Sequence, residues 1–261
     1  MDYLVKVRGM EFLAAVEEIL GGAVAIPSFV MPEKKKTYDR LYVPRHTFSC
    51  NQAKKYLLAR GIDNDIIDEC NEQGMITEHA RSGAVLFLGF DETGKLKHCC
   101  SRETDGSSGK KDMAGSDKRY AFKLATNDEN STVRVFESAI DLLSYATMLK
   151  DMGKDYHTEN LISLSGIYLP KEQLEETKIP MPLEHYLATH PNTKKICLYL
   201  DNDFAGRRGA DALQVIFGGK YEVKYIPPPD GKDYNDYLMI TKQIKFKNER
   251  NENRENSDQK R

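Results

Sequence analysis

Residues 195–206 read KICLYLDNDFAG, a mostly apolar run followed by two aspartates and two small residues. The run Lys195–Leu200 has the length and composition of a buried strand. Asp201 and Asp203 follow it directly and lie two positions apart, so in extended chain their carboxylates point to the same side. The pair Ala205-Gly206 suits the start of a helix. The stretch therefore predicts a buried strand that delivers two carboxylates to one edge of a sheet.

A second stretch has the same plan. Residues 132–141 read TVRVFESAID, in which the strand Val133–Phe136 ends at Glu137. The other two predicted strands are Leu161–Ser165 and Glu222–Ile226. The predicted helices between the four strands are Ser138–Lys150, a broken pair over Lys171–His190, and Ala205–Phe217. Alternating strands and helices predict an α/β fold with a mostly parallel, four-stranded sheet and helices on both faces.

Acidic residues follow three of the four predicted strands. In a parallel sheet, binding sites collect at the carboxyl ends of the strands, so we expect these acids to meet there. Carboxylate oxygens suit Mg²⁺ or Mn²⁺, and such a site stabilises a phosphoryl group in transfer. We predict Asp201 and Asp203 as metal ligands, Glu137 as a ligand or general acid/base, Asp233 as a further ligand and Asp141 as a supporting residue.

Each of these acids also has an ordinary structural interpretation. Asp203 can cap the helix that starts near Ala205, and Asp236 can cap a final short helix at Tyr237. Asp141 can be a solvated residue of the first helix. The joint pattern, in which strand, acid and helix occur twice in one order, favours the metal site.

The first half of the chain predicts a small α+β subdomain. Its predicted elements are a helix over residues 10–20 that Gly21-Gly22 ends, two short helices within residues 49–78 separated at Gly61, and a hairpin over residues 84–100. Residues 101–119 are rich in Gly, Ser, Lys and Asp, which predicts a long mobile loop. The polar residues from about Lys242 onward predict a disordered tail.

Composition restricts the classes of function. Lys and Arg number 38 and Asp and Glu 40, so the formal net charge is −2 and any nucleic-acid surface has to be local. No apolar run approaches the ~20 residues of a membrane span. The five cysteines include no C-x-x-C pair, so we expect no zinc and reduced thiols in the cytoplasm. Cys99 and Cys100 are adjacent in a predicted strand and point to opposite faces, so they cannot share one ion with His98.

Three motifs together resemble a known family. Phe136–Asp141 resembles the first Toprim motif, with Ser138 where a glycine is usual. Serine is small enough to fit this turn, so the departure bears on the efficiency of the site more than on the fold. Leu200–Gly206 resembles the Toprim D-x-D motif, and Gly231–Asp236 (GKDYND) is similar to the segment after the Toprim core in primases and primase-helicases. Ser165-Gly166 lies where the family often has a glycine turn.

The whole chain resembles a bacterial DNA primase-like protein of the kind carried by mobile elements, without the zinc-binding module. The resemblance implies a Rossmann-like Toprim sheet and four segments: residues 1–48 as an N-terminal helix and linker, 49–130 as a primase-like subdomain, 131–240 as the Toprim domain, and 241–261 as the tail.

The resemblance also implies an activity, namely Mg²⁺-dependent nucleotidyl transfer on single-stranded DNA. Single-stranded DNA and nucleotides are the implied partners, together with a helicase or relaxase. Basic residues are expected to contact template or phosphate. By position these are Arg102, Lys110, Lys111, Lys118, Arg119, Lys123 and Lys232.

Three alternatives remain at this point. The same acids serve phosphodiester cleavage in Toprim nucleases. LYLDND also resembles the D-x-D motif of phosphatase-like phosphotransferases, although Phe204 stands where those enzymes commonly have Thr or Val. The third alternative is a non-catalytic DNA-binding accessory of a mobile-element replication or transfer complex.

Overall fold

The computed structural model describes residues 40–106, 109–124, 129–167 and 170–243. All of them belong to one unit, Tyr38–Arg261. The helix predicted over residues 10–20 and positions 244–261 of the predicted tail lie outside the described residues. Residues 241–243 are helical, so they do not belong to the predicted tail.

The first part of the described chain is built on an antiparallel sheet. Its elements are β1 (His46–Thr47), α1 (Asn51–Ala59), α2 (Asn64–Glu72), β2 (Ile76–His79), β3 (Val85–Phe90), β4 (Leu96–Arg102) and β5 (Lys110–Asp112), with strand order β1-β2-β3-β4-β5. The two predicted helices and the hairpin are confirmed. The long loop predicted over residues 101–119 is wrong, because β5 pairs with β4 there and a 3₁₀ turn covers Lys118–Tyr120.

Local chemistry sets the boundaries of the two helices. Gly61 has φ +77°, a conformation that glycine adopts without strain, and it follows the C-cap residue of α1, Arg60. The Asp63 carboxylate then accepts the backbone N–H of Asp65 at 2.9 Å and caps α2. Ile66 and Ile67 on α2 are fully buried and hold the helix against the core.

The second part is a five-stranded sheet with flanking helices. Its elements are β6 (Lys123–Leu124), β7 (Thr132–Phe136), α3 (Ala139–Asp151), β8 (Asn160–Ser163), α4 (Met181–Thr189), β9 (Lys195–Tyr199), α5 (Phe204–Phe217), β10 (Glu222–Tyr225) and α6 (residues 234–243). The strand order is β10-β9-β7-β8-β6, and the four predicted strands are parallel to one another. The fifth strand, β6, is antiparallel to β8, and its two residues are too few to give a periodic pattern in the sequence.

Helices cover both faces of this sheet. Val133 and Val135 of β7 point to one face and pack in a cluster with residues of α4 and α5. Phe136 points to the other face and packs in a cluster with residues of α1, α2 and α3. Alternate residues of a strand point to opposite faces, so the nearly continuous apolar composition of β9 and the valines of β7 reflect burial on both sides.

The strand order creates a switch point between β7 and β9. The connection from β7 runs through α3 to β8 on one side, whereas the connection from β9 runs through α5 to β10 on the other. Helices that leave two neighbouring strands in opposite directions open a crevice at the carboxyl ends of those strands. Glu137 directly follows β7, and Asp201 follows β9 two residues after its end.

The cysteines are structural. All five are free thiols in buried positions. Cys99 packs in a cluster with Leu86 and Leu88, whereas Cys100 belongs to the larger core cluster that contains Phe136. The two adjacent thiols thus lie on opposite faces of β4, as predicted. Burial raises the pKa of the Cys100 thiol to about 11, which keeps it protonated.

Within the described residues, no helix is both long enough and apolar enough to span a bilayer.

Candidate active site

Two acids face each other across the switch point. Phe136 of β7 pairs in register with Tyr199 of β9, so Glu137 and Asp201 project from neighbouring strand ends. Burial, and then the charge of Asp201, raise the pKa of Glu137 to about 7. Burial and the charge of Asp233 also raise the pKa of Asp201. The strand ends therefore concentrate negative charge in a partly desolvated position.

The environment of Asp203 favours its ionised carboxylate more than the environment of Asp201 does. Its Oδ1 accepts the backbone N–H of Gly206 at 2.9 Å, so it caps α5 as the ordinary interpretation predicted. This backbone contact lowers the pKa of Asp203, and Lys232 lowers it further. The Lys232 Nζ lies 3.4 Å from Asp201 Oδ2 and 3.4 Å from Asp203 Oδ2. An ammonium group thus lies between the two aspartates.

Gly206 holds the loop between β9 and α5 in place. A Cβ at this position would lie 2.0 Å from the carbonyl oxygen of Asp201. The backbone of α5 approaches the D-x-D loop so closely that a side chain at the first turn does not fit. The small residue after the aspartates is therefore required by packing.

Asp141 is a buried acid that contacts the starts of two helices at the site. It is 5% exposed, so the alternative of a solvated helix residue is wrong. Burial and the charge of Asp233 raise the pKa of Asp141 to about 7. Its Oδ2 accepts the Ser138 hydroxyl at 2.5 Å, and its Oδ1 accepts the backbone N–H of Asn235 at 3.4 Å. Asp141 thereby connects the start of α3 to the start of α6.

Ser138 fits the turn after β7 without distortion. Its φ of −131° and ψ of 163° are extended backbone that any residue adopts, so the serine does not alter the turn. Its Oγ accepts the backbone N–H of Asp141 at 3.3 Å and caps α3. The turn accommodates serine, as its small size predicted.

Asp233 lies at the start of α6. Its Oδ1 accepts the backbone N–H of Asp236 at 2.8 Å, which makes Asp233 the helix cap and corrects the assignment of that role to Asp236. Asp236 instead accepts the backbone N–H of Lys232 at 3.2 Å through Oδ2. The backbone N–H of Asn202 donates to the Lys232 carbonyl at 2.7 Å, which ties the GKD turn to the D-x-D loop.

A cleft of about 230 Å³ separates this acidic edge from the antiparallel sheet. Glu137, Asp141, Asp201 and Asp233 line one side. The opposite wall consists of side chains on one face of β3, β4 and β5, together with a residue that follows α1: Arg60, Phe87, His98, Cys100, Arg102 and Lys110. The cleft therefore combines these carboxylates with the cationic side chains of Arg60, Arg102, Lys110 and Lys232.

The predicted basic contacts divide into two groups. Arg102, Lys110 and Lys232 line the cleft. Lys118 lines a neighbouring opening beside Glu137, where its Nζ lies 2.8 Å from Asp112 Oδ2. The other three do not line either space: Lys111 is on the face of β5 opposite Lys110, and Arg119 and Lys123 border a separate depression near α4.

Asp112 joins the two sheets and was not found by sequence reasoning. It accepts the Ser165 hydroxyl at 2.7 Å as well as the Lys118 ammonium. Although burial opposes ionisation, its contacts with His98, Lys118 and Ser165 lower the pKa of Asp112 well below its usual range. Ser165 has φ +52° and lies in the turn after β8, where the backbone N–H of Gly166 donates to the Glu137 carbonyl at 2.9 Å. Asp112 therefore holds the turn that borders Glu137.

His98 lies at the same junction. The ring is fully buried, and within the described part of the chain neither nitrogen has a hydrogen-bond partner. Its Nε2 is 3.2 Å from Asp112 Oδ1, in a contact that is not aligned as a hydrogen bond. Its position in an unremarkable strand pattern gave no sequence signal for this contact.

Asn235 and Arg60 are further residues that sequence reasoning missed. Asn235 is 2% exposed, and its Nδ2 donates to the Arg60 carbonyl at 2.8 Å and to Ser144 Oγ at 3.0 Å. The Arg60 Nη1 in turn donates to Asn235 Oδ1 at 3.0 Å. Asn235 belongs to the GKDYND segment, so the motif marked its position, but only the fold shows its partners.

The donor set fits a hard divalent cation. Carboxylate oxygens from two neighbouring strand ends converge, and burial and neighbouring carboxylates raise the pKa values of Glu137 and Asp201. The Lys232 ammonium occupies the position between Asp201 and Asp203, where a cation is favoured. In the arrangement shown, no three His, Cys, Asp or Glu side chains among the described residues form a ready coordination shell. A cation would therefore need these side chains to adjust.

Residues 134–238 match a family model described as Toprim-like. This chain contains a Toprim-like domain. The match runs from β7 into α6 and includes the acids of the cleft and Lys232. The resemblance inferred from three short motifs is thereby confirmed. A second model, for a protein family of unknown function (DUF3991), matches residues 55–128, which precede the Toprim-like domain.

One curated relative matches most of the chain. The uncharacterized protein pXO2-78 of Bacillus anthracis is 28% identical over 230 residues, which cover 82% of this chain and 62% of that protein. The chain therefore spans less than two thirds of the length of this relative.

One solved primase structure shares the fold at a TM-score of 0.50. The primase fragment of the bacteriophage T7 primase-helicase protein matches with a TM-score of 0.50 and 19% identity, over 80% of this chain and 77% of that chain. The Aquifex aeolicus primase, in its zinc-binding and RNA polymerase domains, matches with a TM-score of 0.47 and 17% identity, over 76% and 55% of the two chains. The T7 match confirms the predicted architecture, a small α+β subdomain followed by a Toprim-like sheet.

Proposed function

We propose that this chain is a Mg²⁺-dependent, primase-like nucleotidyltransferase that acts on single-stranded DNA. The observation that carries the proposal is the cleft itself. Acids gather at the switch point of the Toprim-like domain, and Arg102 and Lys110 face them from the antiparallel sheet. A metal site opposite a phosphate-binding wall is the arrangement that phosphoryl transfer to a nucleic acid needs.

The acids have separate roles in this proposal. Asp201 and Asp203 would hold the cation, with Glu137 and Asp233 as the additional oxygen donors within reach of adjustment. When bound, the cation stabilises the charge of the phosphoryl group in transfer and orients the attacking hydroxyl. Glu137 has a pKa of about 7, raised by burial and Asp201, so its carboxylate is suited to accept a proton near neutral pH.

Supporting residues keep the acids in position. Asp141 joins Ser138 at the start of α3 to Asn235 at the start of α6, next to Asp233. Asp112 holds the Ser165 turn that borders Glu137. Groups fixed by such contacts are held in one geometry, which is the condition for efficient transfer.

The cations of the opposite wall would bind the phosphates. We assign Arg102 and Lys110 to the template or the incoming nucleotide, with Lys118 beside them and Lys232 on the nucleotide. We place the division between the substrate-binding part, residues 49–130, and the Toprim-like domain, residues 131–240, at the cleft. The T7 structure belongs to a primase-helicase protein, which supports a helicase as a partner of this chain. A relaxase of a mobile element is the alternative partner.

The test is primer synthesis by the purified chain. The protein is incubated with single-stranded DNA, labelled nucleotides and Mg²⁺ or Mn²⁺, and the products are separated on a sequencing gel. Asp201→Asn removes a proposed ligand, and Asp211→Asn, an exposed position on α5, removes the same charge elsewhere. Short oligomers made by the wild type and by Asp211→Asn, but not by Asp201→Asn, are the expected result.

Other products would replace the proposal. Shortened template strands that depend on Asp201 would identify a nuclease that uses the same acids. Template binding without synthesis or cleavage, by wild type and variants alike, would identify a non-catalytic DNA-binding accessory.

A further inference from the structure

We propose that Lys232 is an internal counter-ion that occupies the cation position of the metal-free site and must leave it before a divalent cation binds. The inference rests on the proposed magnesium site. Its basis is the placement of the ammonium, 3.4 Å from an oxygen of Asp201 and 3.4 Å from an oxygen of Asp203. A cation shared by these two carboxylates would compete for the same position.

The backbone fixes where the lysine begins. The Lys232 carbonyl accepts the N–H of Asn202 at 2.7 Å, so the lysine is held beside the residue between the two aspartates. The Lys232 N–H donates to Asp236 Oδ2 at 3.2 Å. Gly231 precedes it with φ +80°, in a turn where a Cβ would lie 2.7 Å from Asp236 Cβ. These backbone contacts therefore place the Lys232 side chain beside the D-x-D loop.

The Lys232 side chain can nevertheless move away from the two aspartates. Lys232 is 58% exposed, whereas Asp201 is 12% exposed and Asp203 is 37% exposed. The ammonium can move into the cleft, which it also lines, while the aspartates stay where β9 and the cap of α5 hold them. Release of the ammonium from the two aspartates then requires movement of a single flexible side chain.

Electrostatics predict that the site binds a metal ion more tightly when the Lys232 ammonium is removed. Glu137 and Asp233 add negative charge around Asp201, and the ammonium offsets part of it. Removing the ammonium removes the positive charge that the incoming ion has to displace from the two carboxylates. A contact between unit charges at about 4 Å in water corresponds to roughly fivefold in affinity, so metal binding is expected to tighten by at least that factor. Removing a solvated lysine that does not contact the aspartates would not change metal affinity in this way.

The test is direct measurement of Mn²⁺ binding to the full chain without nucleotide, with free Mn²⁺ followed by electron paramagnetic resonance. Lys232→Gln and Lys232→Ala remove the ammonium in two ways. Lys154→Gln removes the same charge from the exposed turn after α3, far along that helix from the cap at Ser138. Both Lys232 variants are expected to bind Mn²⁺ at least about fivefold more tightly than wild type, and Lys154→Gln is expected to match wild type.

Asp201→Asn separates the two ideas. If wild type binds Mn²⁺, Asp201→Asn does not, and the Lys232 variants bind no more tightly than Lys154→Gln, the counter-ion role is overturned while the metal site stands. Weaker binding by the Lys232 variants would overturn it equally. If wild type binds no Mn²⁺, or if Asp201→Asn binds as well as wild type, the proposed site fails and the counter-ion inference fails with it.

Discussion

At the scale of single residues, hydroxyl and carboxyl side chains do two tasks at once in this site. Ser138 caps α3 and donates to the buried Asp141, and Asp203 caps α5 and contacts Lys232. The ordinary interpretation of Asp203 as a helix cap is therefore correct and compatible with a functional role. A cap fixes the side chain close to the strand end, and the free oxygen remains available to a ligand.

Ser138→Ala is expected to lower the free energy of unfolding by about 1–2 kcal/mol. The cap of α3 is lost, and the buried Asp141 carboxyl loses a donor. Urea unfolding of the metal-free protein measures the effect. Ser138→Thr keeps the hydroxyl and should be near wild type. Equal stability of the alanine variant and wild type would show that neither contact contributes.

At the scale of secondary-structure elements, a charged cluster ties α2 to the 3₁₀ turn before β8. His157 lies 2.9 Å from Glu69 through Nε2 and 2.7 Å from Asp155 through Nδ1. Tyr156 in the same turn donates its hydroxyl to Glu69 as well. The contacts join the antiparallel subdomain to the Toprim-like domain at a place away from the cleft.

This cluster predicts that the stability contributed by His157 depends on pH. The contact with Glu69 raises the pKa of His157 above its ordinary 6.5, because the carboxylates favour the protonated ring. A raised pKa in the folded state gives stability that is complete below the unfolded pKa and is lost as pH rises through the folded pKa. Wild type should thus exceed His157→Gln in stability at about pH 5.5, and the difference should disappear in alkaline buffer.

The size of that difference is limited by solvent. The His157 ring is 52% exposed, so we expect under about 1 kcal/mol. Urea unfolding across the pH range measures it. Converting Glu69 and Asp155 to their amides should remove the pH dependence of the difference. A difference that grows with rising pH would contradict the assigned contacts.

At the scale of the whole molecule, the cleft is formed by one face of β5 and the Toprim-like strand ends. Lys110 and Lys111 are sequence neighbours, but only Lys110 lines the cleft. The pair is therefore a natural test of where nucleic acid binds, since both substitutions change the net charge by the same amount.

Lys110→Gln is expected to weaken single-stranded DNA binding and to reduce the slope of log affinity against log salt by about 0.7, the value for one lost phosphate contact. Lys111→Gln should leave the slope unchanged, because its side chain lies on the other face of β5. Fluorescence anisotropy with a labelled oligonucleotide over a series of salt concentrations measures both. Equal effects of the two variants would place the nucleic acid outside the cleft.

The sequence alone determined the parts that depend on local pattern. Alternating strands and helices, with acids after β7 and β9, were sufficient to predict the parallel sheet and to select Glu137, Asp201 and Asp203. The register of β7 and β9 brings Glu137 and Asp201 to one sheet edge, as the pattern predicted. Hydrophobic periodicity and strand-end residues are local properties, so they can be read without the fold.

Tertiary structure alone decided which residues share the cleft. β5 and β6 have three and two residues and are held by pairing with β4 and β8, so local pattern could not reveal them. Asp112 and Asn235 find their partners 53 and 175 residues away in the chain. The position of Lys232 between two aspartates likewise depends on a turn that approaches from beyond β10. Such contacts are set by packing between elements, which sequence spacing does not encode.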